Sequence, residues 1–126
     1  MTTLYEQLGG EAKVRELVDT FYEIMDSDAR AKKIRDLHPR DLRLSREKLF
    51  MFLSGWMGGE QLYIKKYGHP RLRARHLPFP IGEEERDQWM LCMKEAMSKM
   101  NLSLELRATL ESAFWKTADF MRNQDA

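Results

Sequence analysis

Apolar residues recur at every third and fourth position along most of this chain, and that spacing constrains its fold more than any other feature. Val14, Leu17, Val18, Phe21 and Met25 form one stripe. Leu49, Phe52, Leu53 and Trp56 form a second; Trp89, Cys92, Met93, Ala96, Met97 and Met100 form a third. Leu106, Leu110, Ala113, Phe114, Thr117, Phe120 and Met121 form a fourth. A helix turns once in 3.6 residues, so each set lines one helical face. Strands need period-two alternation, and no segment shows it; there is no internal repeat either. The pattern predicts an all-α fold with four main helices at about 11–26, 45–58, 83–100 and 104–122, joined by short helices. A chain of 126 residues reads as one domain over 1–126, long enough to bury a core without staples.

Helix breakers place the connections. Gly9-Gly10 separates a short helical piece, Thr3–Leu8 with Thr2 or Thr3 as its cap, from the first main helix. Asp26-Ser27-Asp28 is turn and capping chemistry, with a short helix to about Arg35. His38 precedes Pro39 and closes that piece, because a residue before proline avoids the α region. Ser45 is an N-cap or an early residue of the second main helix, which Gly58-Gly59 ends. From Gln61 to Gly82, Gly68, Pro70, Pro78 and Pro80 exclude long regular structure. Pro70 is placed to open a short helix to about Leu77, and Pro78 to stop it. Glu83-Glu84-Glu85 suits a helix N-terminus. Asn101 and Ser103 break and recap the chain before the last helix, which frays into the polar tail Arg122–Ala126.

Composition excludes several functions. The lone Cys92 permits no internal disulfide and no cysteine metal cluster, and on an apolar helix face it reads as buried and inert. The first residues lack the apolar run of an export signal, and no stretch approaches about 18 apolar residues, so no membrane partner is expected. A reducing cytoplasm is the expected compartment. The 21 basic and 20 acidic residues leave a net charge of +1, which argues against nucleic-acid binding by bulk charge. There is no CxxCH, phosphate-cradling glycine loop, HExxH or Glu-x-x-His pair.

The near-neutral total hides a local asymmetry. Gln61–Gly82 contains no Asp or Glu, while Lys65, Lys66, Arg71, Arg73 and Arg75 supply five positive charges beside Tyr63, Tyr67 and Phe79. The block is either a solvated basic turn or a site for a ligand that is anionic at its edge and apolar in its body. Of the three histidines, His38 and His69 each sit at a bend before proline. His76 lies four residues after Leu72, on the same helical face, and Pro78 pins it from behind. A single ligating histidine suits haem iron, where the porphyrin supplies four nitrogens, and does not suit zinc. A structural histidine is the competing reading. Tyr22 and Trp89 each carry a hydrogen-bond donor on a hydrophobic body at the edge of a stripe; they are core-boundary residues or ligand contacts.

The segment FLSGWMGGEQLYIKKYGHPRLRARHLPFPIGEEERDQWMLCM resembles the group II truncated haemoglobins, as do both glycine pairs and Phe21-Tyr22. The resemblance spans nearly the whole chain, and the tryptophan thirteen positions after the histidine of the GHPxLRxRHxPF run is specific to that group. It implies a two-over-two helical sandwich enclosing haem b. His76 matches the proximal iron ligand, and Tyr22 and Trp89 match distal donors to the bound ligand. His38 falls where the family has Phe, Tyr or His, and adds a further distal donor. Ser45 and Leu49 match positions facing the distal pocket. Phe21, Phe52, Leu53, Leu72, Phe79 and Ile81 match apolar haem contacts, and Lys48, Tyr63, Arg73 and Arg75 match candidates for the propionates. Two departures concern loops: 26–37 is longer than in some members, and Glu60 stands where many have proline.

Three functions follow as expectations. The first is oxygen binding or transport by a b-type haem protein, monomeric or homodimeric, that also takes CO and NO. The second is an enzyme, a nitric oxide dioxygenase or peroxidase, fed by a separate reductase because the chain has no flavin or nicotinamide domain. The third is a cofactor-free helical module that binds a protein partner.

Overall fold

The computed structural model describes residues 2–125. Among these residues there are eight α-helices, and no strand forms. They are α1 (Leu4–Leu8), α2 (Glu11–Ser27), α3 (Lys32–Asp36), α4 (Arg43–Trp56), α5 (Leu62–Tyr67), α6 (Leu72–His76), α7 (Glu83–Ser98) and α8 (Leu104–Phe120). A single 3-10 turn, Ala29–Ala31, leads into α3. The four long helices stand where the apolar spacing puts them. Their stripes meet: α2 packs on α7 and α4, and α7 packs on α8, giving the two-over-two helical sandwich.

The core is the sum of those stripes. Val14, Leu17, Val18, Phe21 and Met25 of α2 are essentially solvent-free, as are Leu53, Met57, Cys92, Met93, Met97, Leu110 and Phe114. Each such side chain contributes roughly 1.5–3 kcal/mol by leaving water. Burial pushes the Cys92 thiol up to about 12, which keeps it protonated and unreactive. Phe120 departs from the expected stripe: it is 61% exposed at the end of α8, while Ala118 and Met121 point inward.

Caps set the ends of the elements. Thr3 Oγ1 accepts from Glu6 N (3.1 Å), and Ser103 Oγ accepts from Leu106 N (3.1 Å). Glu85 Oε1 accepts from Gly82 N (2.8 Å) at the start of α7. Ser45 lies inside α4, not at its cap. Asp41 Oδ1 accepts from Arg43 N (3.0 Å), and this turn starts the helix two residues before the serine. The helix after Pro70 also starts later than the proline suggests. Arg71 adopts a left-handed conformation (φ 46°, ψ 54°), so α6 begins at Leu72.

The end of α4 packs closely on α1. Tyr5 N donates to Met57 O (2.9 Å), and a Cβ on Gly59 would stand 2.5 Å from the Tyr5 ring. Any side chain there would force the Tyr5 ring to move. The buried Ser54 hydroxyl then donates to Glu60 O (2.8 Å), which closes the turn towards α5 without a proline at 60.

Candidate functional site

Eight parts of the chain surround one cavity of about 490 Å³. That lies within the range of roughly 300–1,000 Å³ typical of small-molecule and cofactor sites. Each wall follows from a local spacing. From α4 come Ser45, Lys48, Leu49 and Phe52, one helical face at i, i+3, i+4 and i+7. From α2 comes Tyr22, and from α7 Glu85, Arg86 and Trp89. The α3 side gives Ile34, Leu37, His38 and Pro39; α5 gives Tyr63. Leu72, Arg75 and His76 come from α6, Phe79 and Ile81 from the connection beyond it, and Thr117, Ala118 and Met121 from α8.

His76 is oriented by its own helix. Its Nδ1 lies 2.6 Å from Leu72 O, and a carbonyl only accepts, so Nδ1 carries the proton. The Nε2 lone pair is then the metal-binding position of the ring. The four-residue spacing from Leu72 to His76 therefore serves a hydrogen bond as well as a shared face.

Tyr22 and Trp89 stand together around Phe21. The Phe21 ring lies 4.9 Å from Tyr22, edge-on at 82°, and 5.2 Å from Trp89. Neither the Tyr22 hydroxyl nor the Trp89 indole N–H bonds to another described residue, and both side chains line the cavity. Burial raises the Tyr22 phenol far above its ordinary value of 10, so it stays an O–H donor. The indole N–H is a donor only.

His38 is held differently from the sequence expectation. Its Nδ1 lies 2.8 Å from Ile34 O, so that nitrogen carries the proton and Nε2 is an acceptor. Burial lowers its pKa below the usual 6.5, so the ring is neutral near pH 7. A neutral His38 in this tautomer cannot donate to a ligand through Nε2. Its place is firm: Arg35 donates to Pro39 O and Arg40 O (2.9 Å each) and to Asp26 (2.8 Å). Gln88 Oε1 of α7 accepts from Ile34 N (3.0 Å), tying the His38 segment to the helix that carries Trp89.

The basic residues divide. Lys48 and Arg75 line the cavity with Tyr63. Lys48 Nζ lies 5.3 Å from the Tyr67 ring centroid, and Arg75 Nε donates to Pro70 O (2.8 Å). Arg73 does not line it; its Nη1 donates to Phe120 O (2.9 Å) and Arg122 O (2.7 Å). Phe21 and Leu53 also lie outside the lining, fully buried behind it as support. The sequence reading missed Ile34, Leu37, Pro39, Glu85, Arg86, Thr117, Ala118 and Met121. For α8 the 117, 118, 121 spacing was a usable signal, since it continues the inward stripe of Phe114.

This arrangement has close counterparts. The bacterial-like globin family model matches residues 3–123. The chain is 45% identical over 120 residues to the group 2 truncated haemoglobin YjbI of Bacillus subtilis (strain 168), covering 95% of this chain and 88% of that protein. The chain belongs to the bacterial-like globins, among the group II truncated haemoglobins. The group II 2-on-2 haemoglobin of Agrobacterium tumefaciens superposes with a TM-score of 0.95 at 42% identity, over 99% of this chain and 97% of that one. The oxygen-avid truncated haemoglobin of Bacillus subtilis gives a TM-score of 0.88 at 43% identity, over 97% and 100%. In this truncated globin no helix among the described residues is long and apolar enough to cross a membrane.

Proposed function

We propose that this globin holds haem b non-covalently in its cavity and binds oxygen, and other diatomic ligands such as CO and NO, there. One observation carries the reading. The ligating face of His76 and the unpartnered donors of Tyr22 and Trp89 line the same cavity. The donor set fits the group. A single neutral imidazole supplies the one protein ligand that a porphyrin leaves to be filled. Leu49, Phe52, Leu72, Phe79 and Ile81 supply apolar surface, and Lys48, Arg75 and Tyr63 supply cations and a hydroxyl for carboxylates. Haem, when bound, supplies the iron to which a diatomic ligand attaches.

The chain's own groups do the rest. Leu72 O accepts the His76 Nδ1 proton and so fixes the ring and its basicity. Tyr22 and Trp89 donate to charge that develops on the ligand, each contributing roughly 1–3 kcal/mol in a desolvated site. Ser45 keeps its position small, and Leu49 cannot donate. Such donors slow ligand escape, in keeping with the oxygen-avid relative. The same polar lining supports a second reading, use of the ligand in nitric oxide dioxygenation or peroxide reduction, with electrons from a separate reductase. A cofactor-free module explains the amphipathic helices and leaves the two unpartnered donors without a purpose. A cytoplasmic site of action suits the lone thiol.

Titrating the purified apoprotein with haemin while recording its absorption spectrum tests the proposal. A Soret band saturating at one haem per chain is expected; no band at any ratio would remove both haem readings. Nitrate formation by the oxygen-loaded, reduced protein mixed with nitric oxide separates the enzyme from the binder.

A further inference from the structure

The helix that carries His76 cannot hold itself in place. It has five residues and none is buried. So short a helix is unstable alone. It is entered through the left-handed Arg71 and left through Pro78 and Pro80. What holds it comes from the chain beyond α8, the stretch expected to fray.

Asn123 does most of this. Its Nδ2 donates to Phe79 O (2.7 Å) and to His76 O (3.3 Å). Its Oδ1 accepts from Ile81 N (3.0 Å) and from Gln124 Nε2 (3.1 Å). The backbone amides of Asn123 and Gln124 both donate to Ile81 O (2.8 and 3.1 Å). The amide thus uses two donors and two acceptor positions, its full capacity. Aspartate there would turn a carboxylate oxygen towards two carbonyl oxygens, and alanine would strip all three backbone partners. Arg73 adds a second strap from α6 to Phe120 O and Arg122 O. Upstream, Asp119 fixes the exit of the tail by accepting from Arg86 (2.8 Å) and Arg122 (3.2 Å).

We propose that Asn123 is a positioning residue for His76, and that the segment after α8 locks α6 where the imidazole faces the cavity. This rests on His76 being the iron ligand. Leu72 O sets the ring relative to its helix, and Asn123 sets the helix relative to the cavity. The Asn123 contact is made to the backbone of His76 itself, so a shift there moves the ring.

The test compares Asn123→Ala and Asn123→Asp with wild type and with Gln124→Ala as control; Arg73→Gln serves as a milder change on the second strap. On the haem-loaded, reduced protein, the iron–histidine stretching band is read by resonance Raman and haem loss by transfer to an acceptor apoglobin. On the apoprotein, hydrogen exchange is read at the amides of Arg75, Leu77 and Phe79. Asn123→Ala is expected to shift or broaden the band and to speed haem loss and exchange about tenfold. Asn123→Asp is expected to do so more, Arg73→Gln less, and Gln124→Ala, which keeps every bond from Asn123 to His76, Phe79 and Ile81, least. An unchanged band and unchanged haem loss in Asn123→Ala, even with a lowered unfolding midpoint, would overturn the proposal. If wild type takes up no haem, the haem reading fails, and exchange on the apoprotein decides the lock alone: unchanged exchange at those amides removes it.

Discussion

The hydrogen bond from His38 Nδ1 to Ile34 O decides what that imidazole can offer the cavity. While neutral it presents a lone pair, and under the proposed function donation is left to Tyr22 and Trp89. Replacing Trp89 by Phe should speed oxygen dissociation about tenfold, the worth of one good hydrogen bond; stopped-flow displacement by CO reads it. His38 gives a pH dependence whose sign is fixed. Burial depresses its pKa below the ordinary value, and only the protonated ring offers Nε2 as a donor. Oxygen dissociation should therefore slow as pH falls through that depressed pKa, and His38→Phe should remove the acid limb. At this scale motif and spacing pointed to His76, Tyr22 and Trp89, and the fold brings all three to one cavity. It missed the role of His38, because a tautomer depends on a carbonyl four residues back whose direction no residue letter encodes. It also placed Arg73 at the cavity, because a basic block shows charge and not which way each side chain turns.

Among the elements, the four long helices were legible because each buries a periodic stripe, and burial over four turns outweighs local preference. The short ones were less so. The start of α6 depends on a left-handed Arg71, and the start of α4 on an Asp41 turn, both decided by single backbone conformations. α5 was lost in a stretch read as irregular; the reading weighed its prolines and Gly68 above the apolar Leu62 and Tyr63. The close approach of Gly59 to Tyr5 of α1 gives a direct prediction. Gly59→Ala would drive a methyl into the Tyr5 ring and should cost about 1–3 kcal/mol, read as a lower urea midpoint at unchanged slope. Ser103→Ala, which removes the α8 cap, should cost about 1 kcal/mol in the same assay.

For the whole molecule, a near-neutral chain with one thiol and three histidines is economical in ligands. The fold compensates by bringing eight segments to one cavity, with the tail after α8 fastening the weakest of them. That fastening was not legible, because Asn123 and Arg73 sit in polar stretches that look like solvated surface; their partners are backbone carbonyls far off in sequence. In the proposed function Nε2 of His76 holds the haem iron. Haemin titration of His76→Ala beside wild type tests it most directly. A wild-type Soret band saturating at one haem per chain is expected, with a variant that takes up haem weakly, shows a shifted band and loses haem rapidly to an acceptor globin. A variant with the wild-type spectrum, stoichiometry and retention would contradict it.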